Sequence, residues 1–178
     1  RYGVDEFLRD AGSGHRVHAF VYVECGSGYD TEAPPHLQPT GETAFAMSAA
    51  EHLAGLDGAP ALGAIAAHAD LAHPQLDEVV DTHLQRSRGL VTAIRHSGAR
   101  LDDPSARLLA GAAPPGLYAD RDFLRGVARL GERGLLFESF QFHHQLGALD
   151  ALARATPGTT IVVDHMGRPD VSKPVNGP

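Results

Sequence analysis

Hydrophobic positions along the chain fall into short clusters, separated by longer stretches with helical spacing. Five clusters read as buried strands: Val17–Glu24, Leu62–His68, Leu90–Arg95, Leu135–Phe142 and Thr160–His165. In Leu62–Ala67 and Ile161–Val163 the apolar run is nearly continuous, as in strands covered on both faces, which favours a parallel sheet. Helical patterns lie between them. Thr43–Leu56 is rich in Ala, Glu and Leu, and Pro74 can open a helix over Gln75–Arg86 with Leu76, Val79, Val80 and Leu84 at helical spacing. Asp120–Arg133 sets Phe123, Leu124, Val127 and Leu130 on one face ahead of Gly134. Gln145–Ala155 is a further short helix, stopped by Pro157-Gly158.

Strand and helix alternate, the mark of repeated βα units. The predicted class is α/β, with residues 1–178 as one domain. Polar and ionisable residues collect where the strands end: Glu24, His68, Arg95-His96, His143-His144 and Asp164-His165. In parallel α/β folds, the (β/α)8 barrel above all, that edge carries the active site. The stretches Cys25–Pro39 and Ser97–Gly116 follow strands and are rich in Gly, Pro and polar residues, as functional loops are. Arg168–Pro178 shows no periodicity.

Composition narrows the function classes. The 178 residues suit one domain with a sizeable core, and 43% hydrophobic with 21% charged residues is ordinary for a globular protein. Net charge is −7 with the basic residues scattered, so the basic stripe that nucleic acid or an anionic membrane demands is missing. No apolar run approaches the ~20 residues of a membrane span, and Arg1–Asp5 carries no apolar signal core. The single Cys25 admits no internal disulfide, so a cytoplasmic protein is expected. The expected partner is a small-molecule substrate, with homo-oligomerisation left open. Eleven histidines stand out, because an imidazole needs partners for two nitrogens and changes charge near neutral pH.

His165 sits in Val163-Asp164-His165-Met166-Gly167-Arg168-Pro169, where a neutral imidazole can bind a metal, take a proton or hold an oxyanion. A loop histidine satisfied by a hydrogen bond is the alternative. Alternation over Phe137–His143 sends Phe140 and Phe142 to one face and Gln141 and His143 to the other, leaving His143 on the polar side. His144 reads as a flank of the next helix, and Glu138 as either a lumen residue or half of a buried ion pair. Arg95 suits bidentate binding of a substrate carboxylate, with a salt bridge as the alternative. His68, His96 and Glu24 end further strands; Glu24 can be base, ligand or anchor. Cys25 reads as packing, since nothing nearby would lower its pKa.

Taken in order, the Val-Glu strand end, Gly41-Glu42-Thr43, His68-Ala69-Asp70-Leu71, Ile94-Arg95-His96, His143-His144-Gln145-Leu146 and Val163–Asp170 resemble the amidohydrolase family. The closer likeness is to its branch of barrel lactonases and metal-dependent hydrolases. The resemblance implies a (β/α)8 TIM barrel and hydrolysis of a lactone or related cyclic ester of a small carboxylated compound. It assigns His143 and His165 to catalysis and to a divalent metal such as zinc, with the remaining ligands outside this chain. It gives Arg95 to the substrate carboxylate and leaves Asp164 pointing away as a structural residue; His68, Glu24 and His96 are expected in substrate binding from their strand-end positions. Family members open with a His-x-His strand and close with an Asp-bearing eighth strand. Neither feature is in this sequence, so an incomplete barrel lacking its first and last strands is expected, inactive by itself if it is a fragment. A metal-dependent decarboxylase of the same superfamily and a degenerate, non-catalytic barrel are the competing readings.

Overall fold

Ile65, Ala66 and Ala67 in the middle of the second apolar run are almost wholly buried, and strands form around runs of this kind. The computed structural model describes residues 2–100 and 113–169; most of the Ser97–Gly116 stretch and the segment after Pro169 lie outside the described residues. The strands are β1 (Ala19–Val23), β2 (Ala61–His68), β3 (Val91–Ser97), β4 (Leu136–Phe140) and β5 (Ile161–Val163). The helices are α1 (Val4–Ala11), α2 (Thr40–Ala54), α3 (Leu76–Ser87), α4 (Arg121–Glu132) and α5 (Leu146–Ala155). The strands hydrogen-bond in chain order, β1-β2-β3-β4-β5, in a single sheet, and the β1/β2 and β4/β5 pairs are parallel. Neighbouring parallel strands joined through helices are βα winding. Five such strands make an incomplete (β/α)8 barrel, the class expected from the sequence.

The chain divides into two compact units, Arg1–Ala69 with Asp77–Ala93, and Asp70–Leu76 with Ile94–Pro178. In the first, α2 packs on β2, and Ala46, Leu53, Ile65, Val79, Val80 and Val91 are buried. The β1/β2 register slips by one: Phe20 pairs with Leu62 but Val21 with Ala64, leaving Gly63 as the extra residue. A glycine in a strand suits such a bulge. In the second unit α4 presents Phe123, Val127 and Leu130, all wholly buried, at the spacing of one helix face. The Phe123 ring meets Phe137 of β4 edge-on at 5.8 Å. Asp120 caps α4 by accepting from the N–H groups of Asp122 and Phe123 at 2.9 Å each.

Three local expectations change. Helix α1 was not foreseen, although Val4, Phe7, Leu8 and Ala11 have helical spacing; Glu6 caps its start by accepting from the Gly3 N–H at 2.8 Å. Strand β4 stops at Phe140 rather than Phe142, and His143–Gln145 form a 3-10 turn, so strand alternation does not reach His143. Strand β5 stops at Val163, and Asp164–Gly167 form a second short turn. No helix among the described residues is long and apolar enough to cross a membrane.

Two helical glycines test this packing. A Cβ on Gly126 of α4 would lie 2.0 Å from the Leu71 carbonyl oxygen, whereas a Cβ on Gly147 of α5 would meet nothing within 4 Å. Gly126→Ala should destabilise by about 1–3 kcal/mol through overpacking. Gly147→Ala should stabilise by about 0.5–1 kcal/mol through helix propensity. Urea denaturation of both variants checks the opposite signs.

Candidate active site

In the first unit the first turn of α2 gathers the exits of two strands. Glu42 is 3% exposed, and its Oε1 accepts from the Tyr22 hydroxyl at 2.9 Å and from the N–H groups of Cys25 at 2.9 Å and Ser27 at 3.0 Å. Its Oε2 accepts from the Gly26 N–H at 3.3 Å. Converging amides of this kind solvate a buried carboxylate without a counter-cation. Gly41 is required beside it, because a Cβ there would sit 2.5 Å from both the Gly28 oxygen and the Asp30 nitrogen. Burial, then hydrogen bonds to Cys25 and Glu42, push the Tyr22 hydroxyl pKa up; burial and the charges of Glu24 and Glu42 push Tyr29 up to about 12.

Glu24 follows β1 directly, half-buried, with its N–H donating to the Ala66 oxygen at 2.9 Å. His68 ends β2, also half-buried, and its carbonyl accepts from His83 Nε2 at 2.9 Å. Cys25 is exposed rather than packed, with Sγ 3.4 Å from Glu42 Oε1. The sequence reading missed Glu42 and His83 as organisers. A histidine four residues after Val79 and three after Val80 falls on a buried helix face, which was the available signal.

The second unit holds the remaining candidates. Arg95 does not stand free for a ligand: its Nε donates to Asp164 Oδ2 at 2.6 Å, and both side chains are largely buried, at 13% and 11% exposure. Asp164 therefore turns towards Arg95 instead of away. The Arg95 guanidinium lies over the Phe140 ring at 5.3 Å. Arg168 covers the rings of Phe140 and Phe142, at 5.9 and 5.6 Å, and among the described residues its guanidinium meets only these rings. His165 sets its ring edge-on to Phe140 at 5.5 Å from an exposed, left-handed backbone position, φ 50°. Met166 and Arg168 are left-handed too, at φ 53° and 45°, a conformation that costs about 1 kcal/mol or more per non-glycine residue.

His143 is exposed, and its Nδ1 lies 3.1 Å from the Arg168 carbonyl oxygen. A carbonyl only accepts, so Nδ1 carries the hydrogen and Nε2 keeps its lone pair. His144 stacks on Phe142 at 5.8 Å. His96 Nδ1 accepts from the Leu71 N–H at 3.2 Å, with Asp70 Oδ1 at 3.8 Å and the Phe123 ring beside it. Gln141 does not share the outlook of His143: it is wholly buried, takes the Ser139 hydroxyl on its oxygen, and its Nε2 has no hydrogen-bond partner among the described residues. Tyr118 completes that network by donating to Ser139, and burial pushes its pKa up to about 12.

Residues 21–178 match the model of the amidohydrolase family. The chain belongs to the amidohydrolase family. Among solved structures it is similar to an amidohydrolase from Burkholderia multivorans with bound zinc, at 25% identity and TM-score 0.64, covering 94% of this chain and 48% of that one. It is also similar in fold to amidohydrolase 2 from Bifidobacterium longum subsp. infantis, at 18% identity and TM-score 0.55, covering 97% and 53%. A Pseudomonas putida protein provisionally assigned as a 2-pyrone-4,6-dicarboxylic acid hydrolase aligns at 21% identity over 96% of this chain and 48% of that one; its TM-score of 0.49 carries no argument about substrate. No curated protein matches. This amidohydrolase chain spans about half the length of the solved relatives.

The zinc of the Burkholderia relative raises the question whether these residues could hold one. A zinc site needs three or four N, S or O ligands. Among the described residues no group of three His, Cys, Asp or Glu side chains is arranged to hold a metal. His143 has the donor geometry of a ligand, with one nitrogen tied to a carbonyl and the other carrying a lone pair. By themselves, however, the described residues do not make a zinc site.

Two outcomes follow from the buried charges. Asp164→Leu takes the 2.6 Å carboxylate away from the largely buried Arg95 guanidinium and should cost about 3 kcal/mol, while Arg95→Met/Asp164→Leu should recover much of that loss; denaturant melts of the cycle measure it. His83 is wholly buried, and burial lowers its pKa to about 4. Its unfolded form binds more protons between that value and the ordinary 6.5, so its contribution is complete above pH 6.5 and is lost as pH falls towards 4. The loss is about 3 kcal/mol, and the slope of stability against pH should flatten in His83→Gln.

Proposed function

We propose that this amidohydrolase chain is part of a cytoplasmic hydrolase that opens a lactone or related cyclic ester bearing a carboxylate. The observation that carries the reading is Arg168. Its guanidinium is held over Phe140 and Phe142, and the same residue's carbonyl orients His143. A guanidinium fixed on aromatic faces presents its N–H fork to a planar anion with little entropy left to lose. Arg168 thus takes the part that the sequence suggests for Arg95, whose charge Asp164 already balances. Family membership supports the hydrolase class.

In this reading the His143 Nε2 lone pair accepts a proton from the water that attacks the ester carbonyl, and the imidazolium returns that proton to the ring oxygen as the acyl C–O bond breaks. His165, one turn away from Arg168 in sequence, donates to the oxyanion that forms there. The Phe140 and Phe142 rings exclude water beside the bound ring. Glu24, His68 and His96 supply further polar contacts at strand ends. A divalent metal would need ligands from outside the described residues, and no step here depends on one. The partner is a small molecule, and the scattered charge offers nothing to nucleic acid.

The test uses the intact protein with lactones that carry or lack a ring carboxylate. His165→Asn should lower kcat by about 10²–10³-fold, with little change in KM. Arg168→Gln should raise KM by roughly 10–100-fold for the carboxylated substrate only. Near wild-type kinetics in both variants would sink the proposal.

A further inference from the structure

The reaction outlined above makes no use of the wholly buried His83 on α3. Its Nε2 lies 2.9 Å from the carbonyl oxygen of His68 and its Nδ1 lies 2.7 Å from Thr43 Oγ1. Because a carbonyl only accepts, Nε2 carries the hydrogen. Nδ1 is then the lone-pair nitrogen, and the Thr43 hydroxyl donates to it. The neutral ring is fully satisfied by these two contacts, and a charged ring would lose its hydration with no carboxylate in direct contact. Burial opposes the charged form most strongly, and the charges of His68 on β2 and Arg86 on α3 oppose it too, while the hydrogen bond to the His68 carbonyl and the charge of Glu42 on α2 favour it.

Thr43 owes its place to the turn described above, where Glu42 and Gly41 seat the exit of β1. The next residue of that turn therefore reaches, through one imidazole, the exit of β2. An apolar side chain would fill the buried face beside Val79 and Val80 without needing either polar contact. What a histidine adds there is a directed grip on one carbonyl.

We propose that His83 is a positioning residue: it grips the His68 carbonyl as a fixed neutral donor, with Thr43 setting its tautomer, and so sets how the His68 imidazole leaves the end of β2. Fixing that carbonyl fixes the ψ angle of His68, and with it the backbone from which the ring projects. The proposal rests on the reading of the β2 end as part of the substrate site.

The experiment is long-range 1H–15N spectroscopy of the histidine-labelled intact protein, combined with kinetics. Wild-type His83 should appear as the Nε2–H tautomer and should not titrate above about pH 5. Thr43→Val removes the hydroxyl at nearly constant volume; it should displace the His68 ring resonances and its titration midpoint. With a carboxylated lactone the same variant should lower kcat about tenfold and change KM by less than about twofold, a loss of transition-state stabilisation alone. His83→Gln, whose amide can donate from the Nε2 position, should restore more turnover than His83→Leu. Should His83→Leu not fold, the wild-type tautomer and Thr43→Val still decide. The proposal is overturned if His83 is the Nδ1–H tautomer, or if His68 titrates identically in wild type and Thr43→Val while only Tm falls. If the wild type hydrolyses no lactone yet His68 moves in Thr43→Val, positioning stands and the lactonase reading falls.

Discussion

A strand that stops leaves its next amide and carbonyl groups without ladder partners, and leaving them unpaired in a buried setting costs as much as a lost hydrogen bond. The strand ends of this chain hand those groups to side chains. Glu42 takes three amides after β1, and His83 takes the carbonyl that ends β2. Gln145 serves β3 and β4 together, accepting from the N–H groups of Arg100 and Phe142 and donating to the Gly98 oxygen. After β5 His143 does the same, donating to the Arg168 carbonyl. Within each unit, the side chains that complete the backbone at a strand end also hold the polar groups beside it.

This arrangement explains which charges are committed and which are presented. Glu42 and Arg95 are both engaged below the surface, one by amides and a phenol and one by a carboxylate and a ring. Each is needed where it stands, because a buried charge that loses its partner is far more costly than an exposed one. Arg168, His143 and His165 are exposed; Arg168 lies over Phe140 and Phe142, His165 meets Phe140 edge-on, and His143 is tied to the Arg168 carbonyl. His165, Met166 and Arg168 are left-handed within four positions of one another, a concentration of backbone strain that the contacts of Phe140, Phe142 and His143 hold in place.

Much of the architecture was legible in the sequence. The runs through Leu62–Ala67 and Ile161–Val163 mark strands by their unbroken apolar character, but the burial on both faces that such runs suggest holds only for Ile65–Ala67; Val162 and Val163 are exposed. The spacing of Phe123, Val127 and Leu130 marks α4, and Asp120 marks its start. The family followed from the order of strand-end motifs, since each motif lies where backbone geometry leaves few choices. The small helix α1 and the exact ends of β4 and β5 were not read, because a short helix or a strand terminus depends on caps and turns more than on periodicity.

The sequence by itself determined that strands and helices alternate, that polar residues gather at the strand ends, and that the chain belongs among the amidohydrolases. Periodicity carries such information because it depends only on which face of each element is buried. Only the tertiary structure decided that Arg95 is matched by Asp164, that His83 and not a site histidine is the buried one, and that Arg168 rests on two rings. Arg95 and Asp164 are 69 positions apart in the chain, and His83 and Thr43 are 40 apart. Pairings over such separations are set by how the elements pack in three dimensions, and local pattern holds no record of them.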